Sequence, residues 1–152
     1  MHASASSTHR WNEAPKAGND AVVAIGLKEL IGEARRTVNE LSPEDARPLI
    51  DEGALVVDVR EPAEFGKARI AGARNVPRGM LELRAAGDSP VADSELADRR
   101  DRHLFVYCTK SPSARSLLAA QTLATLGYEK VSVIEGGLNA WAEAGFPTEE
   151  GS

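Results

Sequence analysis

Three short apolar segments stand out along the chain, and charged or glycine-containing stretches bound each of them. They are ALVVDV at residues 54–59, HLFVYC at 103–108 and KVSVIEG at 130–136. Short continuous runs rich in β-branched residues are typical of strands buried on both faces of a sheet. A briefer strand is predicted at ARNV, residues 73–76, where Pro77 ends it.

Helical patterns fill most of the chain between these strands. Helices are predicted at residues 27–38, 42–53, 114–127 and 137–145, with shorter helical segments at 62–68 and 78–85 and a polar surface excursion at 87–102. The second helix begins with the start signals Ser42 and Pro43, and Pro48 is expected to kink or shorten it. Strands that alternate with helices over short connections indicate a single α/β domain, with a parallel sheet covered on both faces.

The composition is that of an ordinary globular domain, and its charge narrows the classes of partner. The chain has 152 residues, 42% hydrophobic and 27% charged, with a formal net charge of −5 and a pI near 5.3. Neither nucleic acid nor a membrane is expected as a partner of so acidic a chain. No apolar run is long enough to span a bilayer, and residues 1–20 lack the apolar core of a secretory signal. Residues 1–25 are predicted to form a flexible tail.

Cysteine and histidine usage limits the redox and metal chemistry. Cys108 is the only cysteine, which excludes an intramolecular disulfide, a Cys-x-x-Cys redox pair and a cysteine-rich zinc site. A lone cysteine favours a reducing compartment, and the cytoplasm is the expected location. The histidines His2, His9 and His103 show no metal-ligand spacing. No metal or other cofactor is therefore expected.

Cys108 has the clearest chemical potential, because it falls between a strand and a helix. It ends the predicted strand 103–108, and α/β folds bind ligands at the carboxyl ends of their strands. The following loop enters the 114–127 helix, whose first backbone N–H groups lack partners within the helix. These groups, with Lys110 and Arg115 nearby, favour an anion and favour thiolate over thiol. The residues thus predict a nucleophilic sulfur beside an anion-binding loop.

A plainer interpretation of the same residues stays open at this point. A cysteine after an apolar strand is more often a packing residue than a catalytic one. Lys110 and Arg115 are also consistent with solvated surface charges, and Ser111-Pro112 with an ordinary turn. The residue pattern alone leaves the two interpretations balanced.

From Leu41 to Pro147, roughly two-thirds of the chain, the sequence resembles a known family. LVVDVREPAEF is similar to the second strand and following turn of rhodanese-like (sulfurtransferase) domains. ARIAGARNVP is similar to their Gly-His-Ile-x-Gly-Ala-x-Asn-Ile-Pro segment, with Arg69 where histidine is common. VYC, the helix after the loop, and the Gly-Gly-x-x-x-Trp signature in EGGLNAW also match. The resemblance implies a five-stranded, mainly parallel sheet over residues 41–150, preceded by an extra helix and lead-in at 26–40.

The activity that the resemblance implies is sulfur transfer through a persulfide. The Cys108 thiolate would take the outer sulfur of a donor such as thiosulfate and pass it to a thiophilic acceptor. The implied partners are a small sulfur-containing anion and a thiol or protein acceptor. The residues expected to hold the donor and the persulfide are Thr109, Lys110, Ser111, Ser113, Ala114 and Arg115.

Two residues at the end of the 54–59 strand and just after it resemble pocket supports of this family. The resemblance implies that Asp58 accepts loop N–H bonds and that Arg60 pairs with an acid such as Glu64. The place of Asp58 near a strand end favours a structural cap over a catalytic role, and the alternative for Arg60 is a surface ion pair, worth at most about 1 kcal/mol.

The loop departs from the family pattern in length and in composition. In most members the arginine follows the cysteine by five positions, whereas Arg115 follows Cys108 by seven. The usual glycine is absent, and Pro112 has no N–H to donate. A longer loop makes a wider cradle, with room for an anion larger than thiosulfate. Two alternatives therefore stay open: a catalytically inactive protein-binding module, and an arsenate reductase or phosphatase-like enzyme.

Overall fold

The structure is a computed structural model that describes residues 23–151. Its strands are β1 (Asn39–Leu41), β2 (Leu55–Asp58), β3 (Arg69–Ile70), β4 (Arg74–Asn75), β5 (Leu104–Tyr107), β6 (Val131–Ile134) and β7 (Thr148–Glu149). Its helices are α1 (Leu27–Thr37), α2 (Pro43–Asp51), α3 (Pro62–Lys67), α4 (Leu81–Ala85), α5 (Ser94–Ala97), α6 (Ala114–Thr125) and α7 (Gly137–Glu143). Most of the predicted tail, with His2 and His9, lies outside the described residues.

Five of the strands form one sheet in the order β1-β6-β5-β2-β4, which confirms the expected α/β architecture. Every pairing within it is parallel. β5 lies at the centre, between β6 and β2, so the loop that follows it leaves from the middle of the carboxyl edge. The short strands β3 and β7 pair separately and antiparallel, with Ile70 opposite Thr148. The hydrophobic pattern did not predict β1, β3 or β7.

Two apolar layers cover the sheet, and alternate residues of β5 contribute to each. Leu104, Val106 and Cys108 belong to the layer that includes residues of α1, α4 and α6. Phe105 and Tyr107 belong to the layer that includes residues of α2 and α7. This alternation is the period of two that a strand imposes on its side chains. Cys108 therefore continues the α6-facing side of the central strand.

The helices follow their sequence signals closely. The Ser42 hydroxyl accepts the Asp45 N–H at 3.1 Å and so caps α2. Pro48 lies inside α2, which continues to Asp51, so the proline does not end this helix. No helix within residues 23–151 is long and apolar enough to cross a membrane.

Candidate active site

Cys108 directly follows β5, the central strand, at the edge where loops leave the parallel strands. Its side chain is buried, with 4% of its surface exposed. Its Sγ lies 3.4 Å from the Oγ of Ser116, in the first turn of α6. The exposed tip of the loop is formed by Lys110, Ser111 and Pro112, and Arg115 in the first turn of α6 is also exposed. The sulfur thus lies at the base of the loop, beside a hydroxyl group, and not at its tip.

Ser116 is a partner of the sulfur that the sequence analysis did not single out. Its buried hydroxyl donates to the Ser113 carbonyl at 3.0 Å. That carbonyl also accepts the Leu117 N–H at 2.8 Å, so it keeps a partner if the hydroxyl turns away. A serine hydroxyl has one proton and two lone pairs, so it can accept from a thiol and, after rotation, donate to a thiolate. The only signal in the sequence is its place one residue after Arg115.

Several backbone N–H groups of the loop and of the first turn of α6 donate to no backbone carbonyl among residues 23–151. They belong to Thr109, Lys110, Ser111, Ala114, Arg115 and Ser116. The N–H of Ser113 is different, because it donates to the Lys110 carbonyl at 2.9 Å. Unpartnered donors at the start of a helix favour a bound anion. The loop therefore keeps the donors that an anionic ligand would need.

The N-terminal end of α7 holds the start of the loop. The Leu138 N–H donates to the Cys108 carbonyl at 3.0 Å, and the Asn139 N–H donates to the Thr109 carbonyl at 2.9 Å. Gly137 permits this approach, because a Cβ there would lie 2.4 Å from the Cys108 carbonyl oxygen. Its φ of +57° is also one that glycine adopts readily. Gly137 thus allows the start of α7 to pack against the backbone of Cys108.

Ser113 adopts the left-handed conformation, with φ 65° and ψ 33°, immediately before α6. Glycine adopts this conformation without the steric cost that a side chain brings. The glycine expected in such a loop is absent from the sequence, and the structure shows that Ser113 supplies a left-handed residue in the loop instead.

Arg115, the second residue of α6, turns its guanidinium toward Glu64 of α3. Its Nη1 and Nη2 donate to the two carboxylate oxygens at 2.9 and 3.2 Å, and Nη2 also donates to the Thr109 hydroxyl at 3.1 Å. The hydrogen bond from Arg115 lowers the pKa of Glu64 to about 2, against the opposing effect of burial. The bond to Glu64 in turn raises the pKa of Arg115. An anion bound at Arg115 would therefore share the guanidinium with the Glu64 carboxylate.

Asp58 and Arg60 form a buried ion pair and make no hydrogen bond with residues 108–115. Arg60 donates to the Asp58 carboxylate through Nε at 3.0 Å and Nη2 at 2.7 Å, and through its backbone N–H at 2.9 Å. Burial disfavours the charged guanidinium, but the bonds and charge of Asp58 outweigh it and raise the pKa of Arg60.

Arg60 therefore pairs with an acid, but that acid is Asp58 and not Glu64, and Asp58 caps the backbone N–H of Arg60 and does not accept loop N–H bonds. The physical reason is burial, because each of these two charges needs a close partner of opposite sign. Arg60 Nη2 also donates to the Ala68 carbonyl at 2.6 Å, at the end of α3. The pair braces the segment that carries Glu64, and so supports the loop only indirectly.

Comparisons with known proteins agree on the family of this domain. A family model described as a rhodanese-like domain matches residues 42–144. A sulfurtransferase from Allochromatium vinosum is 35% identical over 112 residues, which are 72% of this chain and 94% of that protein. Thiosulfate sulfurtransferase GlpE from Ectopseudomonas mendocina is 33% identical over 109 residues, which are 72% of this chain and 88% of that protein. The family match includes the whole Cys108 loop.

A solved structure from Rhodopseudomonas palustris is similar over a longer stretch. It is described as a protein of unknown function and possible tyrosine phosphatase, and superimposes with a TM-score of 0.75 at 34% identity. The match covers 87% of this chain and 100% of that chain. Residues 42–152 make up less than three-quarters of the chain. A match that covers 87% of the chain therefore includes residues that precede α2.

Proposed function

This chain belongs to the rhodanese-like domain family, and we propose that it is a sulfurtransferase that carries sulfur as a persulfide on Cys108. One observation carries the proposal, the placement of the only cysteine. It directly follows the central strand, 3.4 Å from the Ser116 hydroxyl, and begins a loop in which several N–H groups donate to no backbone carbonyl among residues 23–151. Relatives named sulfurtransferase and thiosulfate sulfurtransferase support the reaction class.

In the first half-reaction the Cys108 thiolate attacks the sulfane sulfur of the donor. With thiosulfate, an S–S bond forms at Cys108, the S–S bond of the donor breaks, and the bonding electron pair leaves with sulfite. Charge is conserved, because the donor dianion gives a dianion and the thiolate becomes a persulfide anion. No proton moves, so the step needs no general base once the cysteine is ionised.

In the second half-reaction a thiophilic acceptor attacks the terminal sulfur of the persulfide. The S–S bond to Cys108 breaks, its electron pair restores the Cys108 thiolate, and the acceptor keeps the sulfur. Cyanide would leave as thiocyanate, and a thiolate would leave as its own persulfide. The exposed tip from Lys110 to Pro112 is where a small thiol or a protein acceptor would approach.

The loop would act mainly through backbone dipoles and one hydroxyl. The free N–H groups and the exposed Lys110 would hold the donor and the charge that leaves with sulfite. Ser116 would accept from the thiol and donate to the thiolate or the persulfide. Asp58 and Arg60 would serve as structural supports.

Thiosulfate is the donor that the names of relatives suggest. The loop of this chain, longer than is usual in the family, extends the class to larger anions that carry sulfane sulfur. A single cysteine that must stay reduced in order to react fits a reducing compartment, and we propose the cytoplasm.

The phosphatase-like alternative needs a proton donor for the leaving group, and the carboxyl group near the loop does not supply one. With a pKa of about 2, caused chiefly by Arg115, Glu64 is a carboxylate at neutral pH. It therefore cannot act as a general acid there. An inactive protein-binding module would keep the same fold without transferring sulfur.

Intact-mass spectrometry tests the proposal directly. The protein is incubated with thiosulfate, and in parallel with an organic persulfide and with polysulfide, and then weighed. We expect a gain of one sulfur atom that is removed by dithiothreitol or cyanide and is absent from Cys108→Ala. Because the chain has one cysteine, the site of the adduct is unambiguous.

Two results would overturn the proposal. Absence of a sulfur adduct with all three donors would favour the binding module. Cys108-dependent turnover of an aryl phosphate or of arsenate, without sulfur loading, would favour the phosphatase-like or arsenate reductase-like enzyme.

A further inference from the structure

The N-terminal helix α1 contacts the lengthened Cys108 loop through one side chain. Nη2 of Arg35 donates to the carbonyl of Pro112 at 3.1 Å, across 77 positions of sequence. Pro112 lies at the exposed tip of the Cys108 loop. This loop is longer than is usual in the family. Arg35 lies outside residues 42–144, the range of the family match. The contact thus joins the lengthened loop to a helix that lies outside the range of the family match.

Arg35 is held in place from two sides. Its helix packs against α6, with Ala34 fully buried and Ile31 partly buried against the same apolar layer as Cys108. Its Nε donates to Oε1 of Glu40, in β1, at 2.8 Å. A guanidinium whose Nε is fixed by a carboxylate presents its other N–H groups in a fixed fork. Arg35 therefore needs little ordering to reach the loop.

The bond from Arg35 completes the support of one peptide group. The peptide between Pro112 and Ser113 has its carbonyl bonded to Arg35 and its N–H bonded to the Lys110 carbonyl, at 3.1 and 2.9 Å. Ser113, the next residue, has the left-handed φ of 65° that turns the chain into α6. Fixing this peptide plane fixes the direction of the chain just before the free N–H groups of Ala114, Arg115 and Ser116.

We propose that Arg35 is a positioning residue of the active site, which holds the extended loop in a preorganised state for its anionic donor. The proposal rests on the proposed sulfurtransferase function. Donors fixed before the ligand arrives need no reorganisation when charge moves onto sulfite. Without Arg35 the loop would have to become ordered as the donor binds, at the expense of affinity.

The test compares Arg35→Ala with Arg36→Ala, which removes the same charge from the next, exposed position of α1. Single-turnover sulfur loading of Cys108 is followed by mass against thiosulfate concentration. For Arg35→Ala we expect the half-saturating concentration to rise about three- to tenfold, the effect of one lost hydrogen bond, while the limiting rate changes less. Arg36→Ala should match the wild type.

Hydrogen exchange gives a second readout that does not depend on sulfur transfer. The Ser113 N–H is buried and bonded to Lys110, so its exchange reports on the peptide that Arg35 holds. We expect faster exchange at Ser113 in Arg35→Ala and no change in Arg36→Ala. If the wild type loads no sulfur, the proposed function fails, but this measurement still decides whether Arg35 orders the loop.

Exchange at Ser113 and donor saturation that both remain at wild-type values in Arg35→Ala would overturn the inference. Should Arg35→Ala not fold, Arg35→Lys replaces it, because an ammonium lacks the fixed fork that serves Glu40 and Pro112 together. The same two measurements then apply, with the same expected directions and a smaller effect.

Discussion

The guanidinium of Arg115 and the carboxylate of Glu64 face each other at 2.9 and 3.2 Å, although 51 positions separate them in sequence. Arg115 lies in the first turn of α6, the helix after β5, and Glu64 lies in α3, the helix after the neighbouring strand β2. Their side chains are 42% and 38% exposed, so the pair is partly solvated and of modest strength. Lys110 and Arg115 are the two cations beside the loop. Because Glu64 partly neutralises Arg115, an anion there meets less positive charge than these two residues would otherwise provide.

Glu64→Gln should strengthen donor binding. The amide keeps an oxygen that can accept from Arg115, but the negative charge is gone, so the attraction of the site for a dianion increases. We expect the half-saturating thiosulfate concentration for sulfur loading to fall about two- to fivefold at low salt, and the gain to shrink as salt screens it. The measurement is the mass of loaded protein against donor concentration.

Glu129→Gln is the matched control for that experiment, because it removes the same charge from an exposed residue at the amino end of β6, the opposite edge of the sheet. It should leave donor binding unchanged. An equal effect from both variants would show that net charge, and not the Arg115 pair, sets the affinity. Weaker binding in Glu64→Gln would instead assign Glu64 the task of orienting Arg115 for the donor.

Ser116→Ala should slow the formation of the persulfide. The hydroxyl lies 3.4 Å from the sulfur, and its present acceptor, the Ser113 carbonyl, keeps the Leu117 N–H at 2.8 Å after the change. The variant therefore removes a donor to the anionic sulfur without leaving that carbonyl unpaired. A hydrogen bond to a charged group accounts for about a tenfold change or more, and we expect the single-turnover loading rate to fall by that factor.

The control for Ser116 is Ser132→Ala, which removes another buried hydroxyl, on β6 beside His103. Its loading rate should equal that of the wild type, even if its stability is lower. A Ser116→Ala protein that folds and loads sulfur at the normal rate would leave the amides and Lys110 as the stabilising groups.

Gly137→Ala should destabilise the fold and disturb the base of the loop. The new Cβ would lie 2.4 Å from the Cys108 carbonyl oxygen and 2.9 Å from the Thr109 carbonyl carbon, so backbone has to move. Gly145→Ala is a matched control, because its φ of +80° is also positive but nothing lies within 4 Å of the added Cβ.

Urea unfolding of the two glycine variants separates the clash from the conformational cost. We expect Gly145→Ala to lose about 1 kcal/mol, the cost of a left-handed non-glycine residue, and Gly137→Ala to lose about 2 to 4 kcal/mol. Equal losses would mean that α7 moves away from Cys108 without penalty. The packing of α7 against Cys108 would then not constrain the loop.

The sequence was sufficient for the parts of the fold that local patterning controls. The buried strands β2, β5 and β6 are short runs of mostly apolar residues, and α6 and α7 end two residues before Gly127 and Gly145, the ends of the predicted helices. β1 was missed because Asn39–Leu41 contains a single apolar residue and becomes a strand through its pairing with β6. Strands of two residues, such as β3, likewise depend on a distant partner.

The candidate site was predictable in position but not in its contacts. Cys108 at a strand end and the free amides after it follow from local chain order. The partner of Arg115 and the contact between Arg35 and Pro112 depend on tertiary packing over 51 and 77 positions. Composition and spacing carry no information about such pairs. The chain has many carboxylates and carbonyls that can accept from an arginine, and the sequence does not distinguish among them.

Stability should depend on pH through His103, at the edge of the sheet opposite the active site. Its ring stacks on Phe105 with centroids 4.6 Å apart, and its Nε2 lies 3.1 Å from the Ser132 hydroxyl. Burial lowers the pKa of His103 from its ordinary value of 6.5, and the charge of Lys130 lowers it further. The folded chain therefore holds this ring neutral at a pH where the unfolded chain protonates it.

The sign of the effect follows from that difference in proton uptake. Below pH 6.5 the unfolded state binds a proton that the folded state does not, so the free energy of unfolding falls as the pH drops. Urea titrations from pH 7.5 to 5.5 should show a smaller fall in His103→Gln, whose side chain does not titrate but can still bond Ser132. Sulfur loading at pH 7.5 should be equal in the two proteins, because His103 and Cys108 lie at opposite ends of β5. A His103→Gln protein with the same pH slope as the wild type would assign the slope to other groups.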